Sequence, residues 1–281
     1  MTDTAAQPET LDDAPERVIP AVSARDLSLQ FTNGEPETRS VAVNGATFEI
    51  AAGEVLAVVG DTGSGKSTLA RAVALHADLL SARSPRIRGG ELDVLGTPVR
   101  GIRSAVRERL SLFVGDLPQG AGDALSPRLT VAENVAEPIY ERDPRFDQQE
   151  AGEMVATLID AVHLPLAFLT SLPHELSKGQ RQRVAIARSL ILEPSLLVAD
   201  DPTAGIDVTV RAAILDTLMA LQHAQQFAGL VVTTDLREAR RLSTGRLAVM
   251  HAGIMVAIGE FDEVLGDPRH PYVERLARWG R

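Results

Sequence analysis

The chain has 281 residues, of which 44% are hydrophobic and 23% charged, a composition typical of a folded globular protein. Its net charge of −10 argues against nucleic acid as the main partner, because phosphate backbones are bound by basic surfaces. Cysteine is absent, which excludes disulfides and thiolate metal or iron–sulfur sites. No apolar run approaches the roughly 20 residues that a membrane-spanning helix needs.

The N-terminal segment, residues 1–20, is acidic and contains proline, and it lacks the basic start and apolar core of a signal peptide. We predict a disordered tail there. Beyond it, alternating and buried apolar runs predict strands at Val22–Phe31, Val41–Ile50, Val55–Val59, Glu91–Val99, Leu196–Ala199 and Leu230–Thr233, and a terminal hairpin over Leu247–Ile258.

Helical periodicity predicts the helices Lys66–Leu80, Val131–Tyr140, Asp147–Val162, Ser177–Leu192, Val208–Phe227 and Asp235–Leu242. Strands that alternate with helices indicate an α/β fold with a mostly parallel sheet covered on both faces. The two strands nearest the N-terminus would form an antiparallel β-subdomain. The helical insert, about residues 120–178, would form a lobe on the side of the sheet.

A phosphate-binding loop is predicted between the third strand and the first helix, because G-x-x-x-x-G-K-[ST] occurs there in its strand–loop–helix context. It comprises Gly60, Asp61, Thr62, Gly63, Ser64, Gly65, Lys66, Ser67 and Thr68. The glycines let backbone N–H groups point at phosphate oxygens, and the start of the helix favours negative charge. Lys66 would contact the β- and γ-phosphates, and the Ser67 hydroxyl would ligate Mg²⁺. The alternative is a glycine-rich turn that only connects strand to helix.

Lysine is rare in this chain, since Lys66 and Lys178 are its two lysines among 28 basic residues. Lys178 lies in a second motif, Leu176-Ser177-Lys178-Gly179-Gln180, which precedes an apolar helix. Ser177 with Gln180 three residues later predicts a capping box. Capping alone explains the serine and the glutamine but leaves Gly179 unexplained, and a capped helix start beside a glycine is also an anion site.

Together these motifs resemble the ATP-binding cassette family over roughly Val22 to Gly266. The resemblance implies a P-loop NTPase core of the RecA type with a helical subdomain. It also implies that the signature motif of one subunit closes over the ATP bound by the other. Lys178 replaces the first signature glycine, and it would either reach the partner's ATP or remain a solvated charge. Asp207, in the segment resembling the family's D-loop, would also face the partner.

Three further residues are assigned by the resemblance to the hydrolytic machinery. Asp200, at the end of the Walker B strand, would hold Mg²⁺, and Asp201 stands where the family usually has a glutamate that positions the attacking water. Thr234 stands where the family usually has a histidine that contacts the γ-phosphate. Each substitution predicts weaker hydrolysis, because water positioning is sensitive to displacements of about an ångström. The alternative for the acidic pair is a strand-terminal turn without chemistry.

Two more positions are assigned with an open alternative. Gln119 stands at the position of the family's glutamine that reaches the metal and links the core to the helical lobe. Asp116 is unusual in the strand before it. The alternative for Gln119 is an ordinary surface glutamine. Phe31 would stack on adenine, or else it is a core phenylalanine.

Two stretches are similar to the oligopeptide and dipeptide importer branch of the family, Leu125–Val131 and Gly266–Leu276. His270 and Tyr272, in the second stretch, are expected to pack the C-terminal tail, residues 267–281, onto the domain. The resemblance implies an ATP- and Mg²⁺-dependent ATPase subunit at the cytoplasmic face of the plasma membrane. Its partners would be a second, paralogous cassette, two membrane-spanning permease subunits and, indirectly, a solute-binding protein. Alternatives are a regulatory ATP sensor, a cassette protein of translation or repair, and a structural protein.

Overall fold

A computed structural model describes residues 19–32, 39–79 and 84–279 of the chain. Its strands are β1 Val22–Thr32, β2 Arg39–Ile50, β3 Val55–Gly60, β4 Arg86–Val94, β5 Thr97–Pro98, β6 Val114–Leu117, β7 Leu196–Asp200, β8 Ala228–Thr233, β9 Arg246–His251 and β10 Ile254–Glu260. Its helices are α1 Lys66–Arg71, α2 Ser104–Ser111, α3 Val131–Arg142, α4 Gln148–Ala161, α5 Lys178–Leu190, α6 Val208–Gln225, α7 Leu236–Leu242, α8 Phe261–Gly266 and α9 Pro271–Trp279. Residues 1–18 of the predicted tail lie outside the described residues.

Two sheets organise the chain. The first has the strand order β2-β1-β4-β5 and is antiparallel. The second has the order β10-β9-β3-β8-β7-β6, and its pairs are parallel except for the terminal hairpin of β9 and β10. The predicted α/β class, with a parallel core, an N-terminal antiparallel sheet and a helical region, is therefore confirmed. β3 and β8 are buried along their whole length, as expected for a parallel sheet covered on both faces.

The apolar side chains form two large clusters on opposite faces of the parallel sheet. One contains Leu56 and Val58 of β3 and joins the antiparallel sheet to α1. The other contains Leu197 and Ala199 of β7 and includes the side chains of α3 to α6. Because α3 and α4 follow β6 and lie beside α5, the helical insert forms a lobe next to the carboxyl ends of the strands.

The predicted helix Lys66–Leu80 was too long. The α-helix ends at Arg71 and continues as a single π turn, Ala72–His76, in which Leu75 takes a left-handed conformation with φ of 66°. The guanidinium of Arg107, on α2, donates hydrogen bonds to the backbone carbonyls of Leu75 and Ala77. The helix end is therefore stabilised by a distant side chain, which local periodicity does not register.

The predicted strand Glu91–Val99 was wrong in both bounds. The structure has two strands there, β4 and β5, which pair antiparallel through a tight turn. Leu95 and Gly96 in that turn have φ values of 47° and 72°. Positive φ at both central residues is typical of the turn that joins two strands directly. The leucine concealed this turn in the sequence, since asparagine or aspartate is usual before the glycine.

Candidate functional site

The ends of three adjacent strands bring the predicted motifs together. β3 pairs in parallel with β8, with Val59 opposite Thr233, and β7 pairs with β8, with Asp200 opposite Val232. The residues that follow β3, β7 and β8 therefore lie at one edge of the sheet. Ligand sites of open α/β sheets lie at this carboxyl edge.

The loop after β3 takes the conformation that its glycines predict. Gly63 and Gly65 have φ values of 83° and 101°, which side-chain-bearing residues rarely adopt, and Gly65 is the N-cap of α1. A Cβ atom at Gly65 would collide with the backbone oxygen of Ala42, and one at Gly60 with that of Met250. Glycine is thus required at Gly60 and Gly65 because the backbone of other strands passes against the loop.

Lys66 is buried in this loop, with 7% of its surface exposed. Its ammonium donates hydrogen bonds to the carbonyl oxygens of Gly60 and Asp61, both at 2.8 Å. Burial lowers the pKa of Lys66, while Asp200 and Asp201 oppose that shift. A charge held at this position by short bonds is available to the outer phosphates of a nucleotide.

The adjacent Ser67 hydroxyl donates a hydrogen bond to a carboxylate oxygen of Asp200 at 3.0 Å. Burial raises the pKa of Asp200, and the bond from Ser67 and the charge of Lys66 oppose that shift. A hydroxyl and a carboxylate side by side, with an amide oxygen from Gln119 in the same cleft, are the oxygen donors that Mg²⁺ prefers. The residues present therefore fit the predicted metal.

Asp201 lies at the turn directly after β7, with φ of 48°, and its backbone N–H donates to Val232 O at 2.8 Å. Aspartate is one of the few side-chain-bearing residues that adopt this conformation readily. Burial raises the pKa of Asp201, and the nearby carboxylate of Glu238 raises it further.

Glu238 is a residue that the sequence analysis missed. It is 6% exposed and accepts hydrogen bonds from the hydroxyls of Thr203 at 2.6 Å and Thr233 at 3.0 Å. It therefore joins the segment after β7 to the end of β8, next to Asp201. The available signal was an acidic residue on α7 four residues before the buried Leu242, a spacing that puts both side chains on the same, inward face of the helix.

A cleft of about 360 Å³ lies over these groups. The predicted site residues that line it are Thr62, Gly63, Gly65, Lys66, Ser67, Thr68, Gln119, Asp200, Asp201 and Thr234. Gly60 and Ser64 are buried beneath the loop, and Asp61 is on its outer side. The backbone of Phe31 is the second-last position of β1, and its side chain is not among those that the structure describes, so its contact with adenine stays a prediction.

The signature motif starts α5 as predicted. The Ser177 hydroxyl accepts from the Gln180 N–H at 3.3 Å, and the Gln180 side chain accepts from the Ser177 N–H at 2.8 Å, which completes the capping box. Asp207 caps α6 in a similar way by accepting from the Thr209 N–H at 3.0 Å. Ser177, Lys178, Gly179, Gln180 and Asp207 do not line the cleft of their own chain. Their contact with a partner's ATP stays a prediction.

Lys178 extends across the surface to the loop between β7 and α6. Any side chain at Gly205 would collide with the Lys178 ammonium, so the two residues are in direct contact within one chain. Lys178 is exposed, and Gly179 beside it packs against Val210 of α6. The Lys178 side chain thus lies against the loop two residues before Asp207.

Comparison with known proteins identifies the family to which this chain belongs. The family model described as ABC transporter matches residues 43–204, which contain the phosphate loop, the signature motif and Asp200. The chain belongs to the ABC transporter family. It is an ATP-binding subunit of the ABC ATPase type, the class that couples ATP hydrolysis to transport.

The ABC subunit is similar to several curated oligopeptide transport ATP-binding proteins. It is 34% identical to OppF of Salmonella typhimurium, over 86% of this chain and 70% of that protein. It is 34% identical to AmiF of Streptococcus pneumoniae, over 91% and 80%, and 35% identical to OppD of Mycobacterium bovis, over 97% and 43%.

Among solved structures, the dimeric ATP-binding cassette MJ0796, in a post-hydrolysis state bound to ADP and Pi, matches with a TM-score of 0.74. The match has 25% identity and covers 85% of this chain and 98% of that one. Within the residues that the structure describes, we find no helix both long and apolar enough to span a bilayer.

Proposed function

We propose that this ABC subunit binds Mg-ATP in the cleft described above and serves an importer of peptides or related small solutes. The observation that carries the proposal is the joint presence of Lys66, Ser67 and Asp200 at one strand edge. The printed names of OppF, OppD and AmiF support peptides as the solute class. Mg²⁺, when bound, would neutralise phosphate charge and orient the phosphates, and Ser67, Asp200 and Gln119 would hold it.

We further propose that the subunit is the weaker half of a pair of different cassettes. Asp201 has a carboxylate one methylene shorter than glutamate, which moves it away from the attacking water. Thr234 is exposed in the cleft and offers a short hydroxyl where the family usually has an imidazole. The binding groups of the site are complete, whereas the two hydrolytic groups are substituted. This pattern supports ATP binding with slow hydrolysis.

The paralogous partner would supply the more active site. In that arrangement Ser177, Lys178, Gly179 and Gln180 of this chain, together with Asp207, close over the partner's ATP. The start of α5 and the ammonium of Lys178 give this surface a positive character that suits phosphate. The dimeric state of MJ0796 supports the pairing of two cassettes.

The helical lobe would dock two membrane-spanning permease subunits, which places the protein peripherally at the cytoplasmic face of the plasma membrane. The lobe has an apolar groove between α3 and α4, lined by Leu129, Ala136, Val155 and Leu169. Glu133, on the first turn of α3, also lines the groove. We assign this groove to a cytoplasmic helix of a permease subunit with apolar and basic residues. A solute-binding protein would take part only indirectly.

The test is the ATPase rate of the subunit reconstituted with its partner cassette and permease subunits. The double variant D201E/T234H is expected to raise turnover about tenfold or more, since misplaced catalytic groups cost up to about 100-fold. The same variant carrying Lys66→Ala is the control and should lose the gain. An unchanged rate in D201E/T234H contradicts the weaker-half proposal.

The same substitutions, Asp201 and Thr234, also favour one alternative, a regulatory ATP sensor that does not serve transport. A sensor would bind nucleotide and dimerise without permease subunits. Purification of the tagged subunit from membranes separates the two functions. Recovery of permease subunits supports the transporter, and nucleotide-dependent dimers without them support the sensor.

A further inference from the structure

The phosphate loop has a neighbour outside the motifs discussed so far. β9 runs parallel to β3 with Met250 opposite Gly60, so the residues that follow, His251 and Asp61, are side by side. The nearest nitrogen of the His251 ring, Nδ1, lies 3.8 Å from a carboxylate oxygen of Asp61. The register of the sheet, rather than any local motif, thus brings a histidine to the second residue of the phosphate loop.

The C-terminal helix α9 covers this histidine. Tyr272, on the first turn of α9, is 4% exposed and stacks on the His251 ring, with centroids 4.3 Å apart and planes 21° apart. Phe261 and Val264 of α8 belong to the same apolar cluster, as does Val273 beside the tyrosine. α9 is therefore docked on the domain, with one aromatic ring directed to the loop edge. The expected packing role of Tyr272 is confirmed by these contacts.

Packing alone does not explain the polar atoms at this contact. The Tyr272 hydroxyl and His251 Nδ1 are both buried, and within the described part of the chain neither has a hydrogen-bond partner of good geometry. Burial raises the pKa of Tyr272 to about 12, and the carboxylate of Asp61 adds to this shift. The hydroxyl therefore stays protonated and is a donor beside a carboxylate. Buried polar groups without partners are costly, and an apolar ring would have served packing better.

A second contact links the same region to the loop. The turn between β9 and β10 contains Gly253, whose N–H donates to the backbone oxygen of Ser64 at 3.1 Å. At the other end of the loop, the backbone oxygen of Asp61 accepts a hydrogen bond from the Lys66 ammonium at 2.8 Å. The position of Asp61 thus bears directly on where the Lys66 ammonium lies.

We propose that Tyr272 and His251 are positioning residues for ATP binding, which hold Asp61, and through it the phosphate loop, once nucleotide binds. The segment after residue 266 then contributes to the nucleotide site as well as to packing. The proposal rests on the proposed function, because it assumes that this loop binds ATP. It assigns Tyr272 no direct contact with nucleotide.

The experiment is calorimetric titration of the full chain with Mg-ATP. Tyr272→Phe keeps the stacked ring and removes only the hydroxyl. We expect the affinity to fall by about threefold to tenfold, the fold-change that one hydrogen bond supplies. The melting temperature without nucleotide should stay within about 1 °C of the parent, because the hydroxyl has no partner to lose. Tyr140→Phe, at the other of the chain's two tyrosines, is the matched control and should bind like the parent.

A double-mutant cycle with Asp61→Ala decides whether the effect acts through Asp61. In the D61A background, Y272F should have no further effect on affinity. A full effect of Y272F in that background indicates a packing defect and overturns the proposal, as does parental affinity of Y272F alone. If the parent itself does not bind Mg-ATP, the proposed function fails instead, so the two failures are distinguishable.

Discussion

At the scale of single residues, the site combines the buried carboxylate of Asp200 and the half-buried one of Asp201 with one buried ammonium. Asp200 and Asp201 follow each other at the end of β7, and both have pKa values raised mainly by burial. Lys66 lies among the groups that oppose the shift in each case. A buried acid next to a half-buried one is costly for the fold, and the two become useful when a metal and a nucleotide bind at the strand edge. Asp200 and Asp201 thus serve ligand binding at a cost in the stability of the fold.

The cost can be measured with Asp201→Asn. A pKa raised in the folded chain means that the folded state holds the proton more tightly than the unfolded state. Stability therefore falls as pH rises from the ordinary aspartate pKa through the raised one, and the ionised group destabilises the fold above both. Asparagine removes this charge and tolerates the φ of 48° at this position.

We therefore expect D201N, without nucleotide or metal, to melt at a higher temperature than the parent at neutral pH. The difference should narrow as pH falls through the raised pKa. Thermal melts at several pH values check this. If D201N is less stable than the parent at neutral pH, Asp201 makes a favourable contact and the expectation is wrong. The control for general charge effects is Asp216→Asn, at an exposed ion pair with Arg241.

At the scale of elements, α5 has two properties at one end. Its capping box with Ser177 and Gln180 stabilises the helix, and the proposed contact with the partner's phosphate uses the same N-terminus. The two properties separate because capping depends on an oxygen acceptor, whereas phosphate binding depends also on the absence of negative charge.

Two substitutions at Ser177 distinguish them. Ser177→Ala should destabilise the chain by about 1 kcal/mol, the usual cost of a lost cap. Ser177→Asp should retain parental stability, since aspartate caps as well as serine. It should nevertheless prevent ATP-dependent association with the partner cassette, because its carboxylate would face the γ-phosphate. Denaturant melts and sedimentation with Mg-ATP give the two readouts, and normal association of S177D would remove the signature helix from the proposed dimer site.

At the scale of the whole molecule, the cleft joins segments distant in sequence, and a bound nucleotide should stabilise all of them. The loop residues before α1, Gln119 after β6, Asp200 at the end of β7 and Thr234 after β8 line one cavity. A ligand that binds the folded state alone at about 100 times its Kd stabilises that state by about 2.7 kcal/mol. For a chain of this size the expected rise in Tm is about 5 °C.

Thermal melts with and without Mg-ATP measure this rise. Lys66→Ala is the control, and its Tm should not respond to nucleotide. A parent chain without a nucleotide-dependent rise would argue for a structural protein, the alternative in which the phosphate loop only connects β3 to α1.

Local patterns in the sequence were sufficient for the parts of the protein that depend on near neighbours. The phosphate loop, the Ser177 cap and the apolar runs of β3, β7 and β8 are each read within a few residues, because turns, caps and burial act over that distance. The importer-branch motif around Tyr272 was visible too, but only as a packing segment.

The tertiary structure decided what depends on contacts between distant segments. Arg107 binds the carbonyls at the end of the first helical segment, and Glu238 lies beside Asp201. The parallel register of β3 and β9 brings His251 to Asp61, and α9 stacks Tyr272 on the His251 ring. The spacing on α7 indicates only that Glu238 faces inward, and the partner in each of these contacts has no local signal, since the free energy that favours the contacts comes from burial and hydrogen bonding across the sheet. Residue types and short spacings therefore determined which chemistry the chain carries, and the sheet register determined which side chains support it.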